Sequence, residues 1–158
     1  MYENFDLYLQ YLEAVKSDLP LQVFEFASDE KRHNLDSAHS LHDAWLTSLV
    51  VKENRNTQRP FEPKPTIELV LLGPQHDRDI VLSYVNVSSY RAESEQNCFN
   101  AADTLHGDVD LHEVRVSEGG LVVHEIKFSS CSRIIITCDN FICTEREYTQ
   151  SATAAGDI

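Results

Sequence analysis

The chain has 158 residues, 42% of them hydrophobic, which is enough for one compact domain whose core needs neither a metal nor disulfides. Its 13 Lys and Arg stand against 26 Asp and Glu, a formal charge of −13, and a surface with that excess repels a phosphate backbone. Direct nucleic-acid binding is therefore disfavoured. The opening Met1-Tyr2-Glu3-Asn4-Phe5-Asp6 lacks the basic and apolar regions of a secretory signal, and no apolar run is long enough to span a bilayer. The expectation is a cytoplasmic protein with no membrane partner.

From Phe5 to Val15 the apolar residues Phe5, Tyr8, Leu9, Leu12 and Val15 recur at helical spacing, with most of the polar residues elsewhere, which predicts an amphipathic helix. Pro20 ends that element or opens the next. Leu21, Phe24 and Ala27 then suit a second short helix, with a short strand through Leu21 and Val23, extending to Ala27, as the alternative. Residues 1–30 hold seven acids (Glu3, Asp6, Glu13, Asp18, Glu25, Asp29, Glu30) and the single base Lys16, so the solvent face of this segment is strongly acidic.

Beyond Ser40 the texture becomes β-branched and aromatic runs separated by polar, Gly or Pro breaks, which predicts an antiparallel sheet of about seven strands. They run approximately from Ala44 to Lys52, Thr66 to Leu72, Ile80 to Tyr90, Asp110 to Val116, Leu121 to Phe128, Ser132 to Cys138 and Phe141 to Arg146. The fold class is α+β, a single domain over 1–148 with a helical segment at 1–30, a β-region at 40–148 and a frayed tail from Thr149 to Ile158, the sheet being a sandwich or strongly curved. Pro60, Pro63 and Pro65 make Glu53 to Pro65 a long loop. This stretch is also the one basic island, with Lys52, Arg55, Arg59 and Lys64 against Glu53 and Glu62, suited to an acidic surface of its own chain or of a second copy.

Alternation fixes the later hairpins. A loop at Glu118-Gly119-Gly120 with its last glycine left-handed opposes Val116 to Val122, Val114 to His124 and His112 to Ile126. A second loop at Ser129-Ser130-Cys131 opposes Ile126 to Ile134, His124 to Ile136 and Val122 to Cys138. His112 and His124 then share the apolar face as uncharged core groups, while Glu113, Arg115, Glu125, Lys127 and Arg133 face solvent. Trp45 shares a face with Thr47, Leu49 and Val51 at period two and should be buried there. Cys98, Cys131, Cys138 and Cys143 lack metal-ligand spacing and read as free, partly buried thiols.

Four histidines precede an acid: His42-Asp43, His76-Asp77, His112-Glu113 and His124-Glu125. Strand neighbours point to opposite faces, so the last two dyads cannot each converge on one ion, whereas the first two sit at loop ends. A functional cluster, including any metal site, would therefore be sought among His42, Asp43, His76, Asp77 and Asp79. No GxSxG, P-loop, GxGxxG or HExxH motif is present, and no motif calls for a cofactor.

Ser40-Leu41-His42-Asp43, Leu72-Gly73-Pro74-Gln75-His76-Asp77-Arg78 and Val123-His124-Glu125-Ile126 with Phe128-Ser129 resemble, in that order, a group of small bacterial proteins with an SLHD-type opening and a late HEI-x-F-S hairpin. That group has no established activity, so the resemblance implies no catalytic residue. Small acidic β-rich bacterial proteins also look like the immunity partners of polymorphic toxins. The expected function is thus non-enzymatic binding of a macromolecule, such as a basic toxin or another basic protein, through an acidic surface that includes Asp6, Glu13, Asp18, Asp43 and Asp77. The alternative is a metal-dependent hydrolytic enzyme built on the loop-end dyads.

Overall fold

A computed structural model describes residues 1–100, 102–103 and 105–148, so the expected tail from Thr149 lies outside the described residues. Helix α1 (Phe5–Val15) begins where the Asn4 side chain accepts from the Leu7 amide at 3.0 Å. It buries Tyr8 and Leu12 of the predicted stripe, with Phe5, Leu9 and Val15 packed at the margin. A single 3-10 turn (Lys16–Asp18) leads through buried Leu19 to Pro20, whose fixed φ opens α2 (Leu21–Ser28). The second helix is therefore real, but its inner face is Val23, Phe24, Phe26 and Ala27, and Leu21 projects into solvent. Phe24 and Ala27 are buried as the spacing predicts, and only Leu21, at the first position of the helix, falls outside the buried face.

The described residues form six strands, β1 (Trp45–Asn56), β2 (Arg59–Leu72), β3 (Arg78–Glu93), β4 (Val109–Val116), β5 (Val122–Phe128) and β6 (Arg133–Glu147). They make one antiparallel sheet in the order β1-β2-β3-β6-β5-β4. Two hairpin meanders, β1-β2-β3 and β4-β5-β6, are thus joined by the long ladder between β3 and β6. The predicted sixth and seventh strands are one strand. Asp139-Asn140 looks like a turn in sequence, but opposite it β3 carries a bulge between Val87 and Ser89 with Asn86 at φ +48°, and the ladder bends without breaking. Asn86 Nδ2 donates to Asp139 Oδ2 across the bend at 2.9 Å.

At the far side the sheet almost closes on itself. Trp45 bridges Asp108, the Asp43 amide donates to the Val109 carbonyl at 2.9 Å, and the Val109 amide donates to the Ala44 carbonyl at 2.8 Å. The two edges therefore meet at one end, and α1 and α2 lie on the concave side. That inner face supplies Ile67, Leu69, Leu71, Ile80, Leu82, Val114, Ile126, Ile134 and Phe141, all essentially inaccessible.

The hairpin register is as the alternation requires at every pair, from Val116 opposite Val122 to Val122 opposite Cys138. Gly120 holds φ +79° in the first loop, and Cys131 takes the equivalent left-handed position, φ +70°, in the second. The opposite face differs from expectation: Glu113 and Glu125 are buried, because Arg115 bridges them, Arg133 approaches Glu125, and the Tyr2 amide donates to Glu113.

Three further expectations change. Glu53 to Pro65 is a two-stranded ribbon and not a loop, since β2 meets β3 only from Thr66 onward and prolines before that point cost no ladder bond on the open side. A bulge between Leu46 and Ser48 shifts β1, so Leu46 and Leu49 face the core while Trp45 is half-buried against His76 and Val51 is exposed. All four thiols are free, but Cys98 and Cys131 are exposed, whereas burial pushes Cys138 up to about 12 and Cys143 up to about 11.

Leu12 anchors α1 at zero exposure among α2 and the sheet. Leu12→Ala should lower unfolding free energy by about 2–4 kcal/mol in urea melts, against less than about 0.5 kcal/mol for a surface site.

Candidate functional site

The polar residues of the inner face form a directed chain. Tyr84 on β3, His124 on β5 and His112 on β4 are all fully enclosed, with Tyr84 Oη 2.7 Å from His124 Nδ1, His124 Nε2 3.2 Å from His112 Nδ1, and His112 Nε2 3.2 Å from the Arg32 carbonyl. A carbonyl can only accept, so His112 must carry its proton on Nε2. In a neutral ring Nδ1 then accepts, so His124 donates from its own Nε2. Its Nδ1 accepts in turn, and the Tyr84 hydroxyl is the first donor. One backbone oxygen thus sets both tautomers and the hydroxyl direction.

Burial holds both rings neutral. Desolvation drives His112 well below the ordinary histidine value, with the neighbouring His33 and His124 opposing its charge further. His124 is lowered by desolvation to about 3, with His33 and Arg115 acting in the same sense. His33, in the segment after α2, stacks on His112 with ring centres 4.3 Å apart and donates from Nε2 to the Ala27 carbonyl at 2.9 Å. It too is lowered by burial, against the raising effect of that bond and of Asp29.

Above His112 a cleft of about 170 Å³ opens between α1 and β4. Tyr2, Phe5, Tyr8 and Leu111 give it apolar walls, and Asn4, Arg32, His33, His42, Asp110 and Glu113 its polar ones. Tyr8 is fixed twice, its hydroxyl donating to the Val114 carbonyl at 3.0 Å and accepting from the Val114 amide at 2.7 Å. His42 Nδ1 lies 3.0 Å from Asp43 Oδ1 without hydrogen-bonding geometry and is buried with no partner. The cleft is smaller than the several hundred Å³ of ordinary small-molecule sites and suits a single side chain.

The loop-end residues divide. His42 and Asp43 sit beside the cleft, Asp43 at φ +63° in the turn that closes the sheet. Asp77 instead chelates buried Arg78 through Nε at 3.0 Å and Nη2 at 2.8 Å, bonds that hold its carboxyl below the usual range. Asp79 faces Arg146 and the Tyr148 hydroxyl, and His76 stacks edge-on to Trp45. Arg78 also reaches Glu145 Oε2 at 2.9 Å, where Arg32 and His39 converge on the same carboxylate. Burial alone would raise Glu145, but bonds from Arg78, His39 and Arg32 outweigh it and lower its pKa. Among the described residues no group of three or more His, Cys, Asp or Glu side chains is placed to hold a metal ion.

Of the predicted acidic surface, Asp6, Glu13 and Asp18 are exposed. Asp6 and Glu13, seven residues apart, share one face of α1, and Glu13 alone of the three faces a cation, Lys16 at 3.8 Å. Asp43 is half-buried and Asp77 is engaged by Arg78. Sequence reasoning missed Tyr84, His33 and Arg32. Tyr84 was findable, since it continues the Ile80 and Leu82 alternation; His33 and Arg32 lie in a polar run with no periodicity.

No family model matches this chain, and neither the curated proteins nor the solved structures contain a match.

Because the buried histidines are held below their unfolded value of about 6.5, the unfolded chain binds protons first as pH falls. Their neutral burial therefore contributes in full above about pH 6.5 and is lost progressively on acidification, towards about 3 for His124. Urea midpoints should fall in that window with a slope approaching, per histidine, on the order of 1.4 kcal/mol per pH unit. Imidazole 15N spectra should show both rings as Nε2–H and invariant from pH 8 to 5; titration near the free value for either would remove the chain.

Proposed function

We propose that the protein is a non-enzymatic binding protein that engages a basic macromolecular partner through the acidic outer face of its helical segment, in the manner of an immunity or inhibitor protein. The observation that carries this reading is that Asp6 and Glu13 stand exposed on α1, which Tyr8 and Leu12 fix to the core, with Asp18 exposed in the 3-10 turn that follows. A rigid charged face keeps its pattern without an ordering cost, so it speeds encounter with a cationic surface and pays little entropy on docking. The other half of the predicted footprint is withdrawn from the reading, because Asp77 is neutralised by Arg78. The same neutralisation weakens the hydrolytic alternative, since Asp77 and Asp79 face Arg78 and Arg146 and its histidines sit in separate surroundings.

The test compares two triple variants of equal net charge: Asp6, Glu13 and Asp18 each to Lys, and the exposed Glu68, Glu93 and Glu118 each to Lys. Association with poly-L-lysine, read by stopped-flow at low salt, should slow about tenfold for the helical triple and only about twofold for the control, with both melting curves near wild type. Equal slowing by the two variants would reduce the effect to net charge and remove the face as a site.

A further inference from the structure

We propose that the β1–β2 ribbon is a docking arm for a second copy of this chain, with Phe61 entering the cleft between α1 and β4 of the other molecule. From Glu53 to Pro65 the ribbon runs past the β2–β3 ladder, which begins at Thr66 opposite Val85, so this part of β2 pairs only with β1. An isolated two-stranded ribbon with both faces wet is marginally stable by itself. Phe61 is 74% exposed on it, and Lys52 and Lys64 have no carboxylate partner among the described residues. The arm thus carries an aromatic side chain and unpaired bases in a chain whose net charge is −13.

The complementary surface is at the other end of the molecule. The cleft's walls of Tyr2, Phe5 and Tyr8 suit a phenyl ring, and its 170 Å³ compares with the roughly 150 Å³ cavity that holds benzene. Within the cleft Arg115 answers Glu113 and Lys127 answers Asp110, so the counter-charge for the arm's bases comes from the exposed Glu3 and Asp6, which flank the lining residues Asn4 and Phe5 in the chain. The counter-charge rests on the acidic-face reading above. The arm cannot serve its own cleft. Trp45, beside the closure at His42 and Asp43, and Asn56, at the ribbon's turn, are separated along β1 by roughly 35 Å at about 3.3 Å per residue. Contact between arm and cleft is therefore between molecules, and two copies lying antiparallel satisfy both contacts at once, which closes a dimer.

Sedimentation velocity of the full chain tests this at about 0.01 M salt, where the screening length is about 30 Å, and at about 1 M, where it is about 3 Å. Dimers are expected at low salt and monomers at high salt. Phe61→Ser and the double variant Arg59→Glu with Lys64→Glu should stay monomeric at low salt with unchanged melting, because these side chains are exposed. Mixing the Arg59→Glu/Lys64→Glu protein with a Glu3→Lys/Asp6→Lys protein should restore association. A monomer under all conditions overturns the proposal. So does salt-insensitive association that the ribbon variants leave intact, which would indicate pairing along the open edge of β1. Either failure leaves poly-L-lysine binding by the helical face unaffected, so the two readings fall separately.

Discussion

Arg32 closes two polar networks that would otherwise be independent. Its carbonyl accepts from His112 Nε2 and from the Leu41 amide at 3.0 Å, and its guanidinium bonds Glu145 at 2.5 Å and the His39 carbonyl at 3.1 Å. The first set terminates the chain of donors that begins at Tyr84, and the second ties the segment after α2 to the end of β6. A buried polar chain is stabilising only when every member is satisfied, and an unpaired member costs the full desolvation of its group. The placement of one residue in a short irregular segment therefore decides whether three enclosed side chains on three strands are favourable or costly.

The strands themselves are held in that arrangement by the ladder between β3 and β6. It pairs residues far apart in sequence, Val85 with Asn140 and Ile80 with Glu145, and it is the one continuous ladder between the two meanders. Such pairings come late because the loop they close costs entropy before any contact repays it, while each meander forms from local hairpins. The ladder sets Tyr84 opposite Phe141 and brings Glu145 beside Arg78. Both networks closed by Arg32 thus depend on the least local ladder of the sheet.

What the sequence made legible follows the same division. The first helix, the faces of β4, β5 and β6 and the burial of His112 and His124 rest on period and turn chemistry within a dozen or so residues, and these were readable. The ribbon at Glu53 to Pro65 was misread because proline forbids a ladder only where a second neighbour exists, and the absence of that neighbour is a tertiary fact. Likewise Asp139-Asn140 has turn chemistry, yet the long pairing with β3 overrides it. Glu113 and Glu125 alternate outward as expected; their burial comes from Arg115 and from residues at the chain's start, which no strand pattern contains.

The candidate site was half visible for the same reason. The sequence supplied the histidines and acids but grouped them by adjacency, as His-Asp and His-Glu pairs, whereas the fold groups them by face. His112 and His124 join Tyr84 and lose their adjacent glutamates to the opposite side, while Asp77 turns to Arg78 and not to His76. The sorting also separates charge by location. Inward carboxylates such as Glu145 are answered by guanidinium groups, while Asp6 and Asp18 of the helical segment and Lys52 and Lys64 of the β1–β2 hairpin have no ion-pair partner among the described residues. The helical segment, with seven acids and one base over residues 1–30, and the ribbon, with four bases and two acids from Lys52 to Lys64, therefore carry opposite signs.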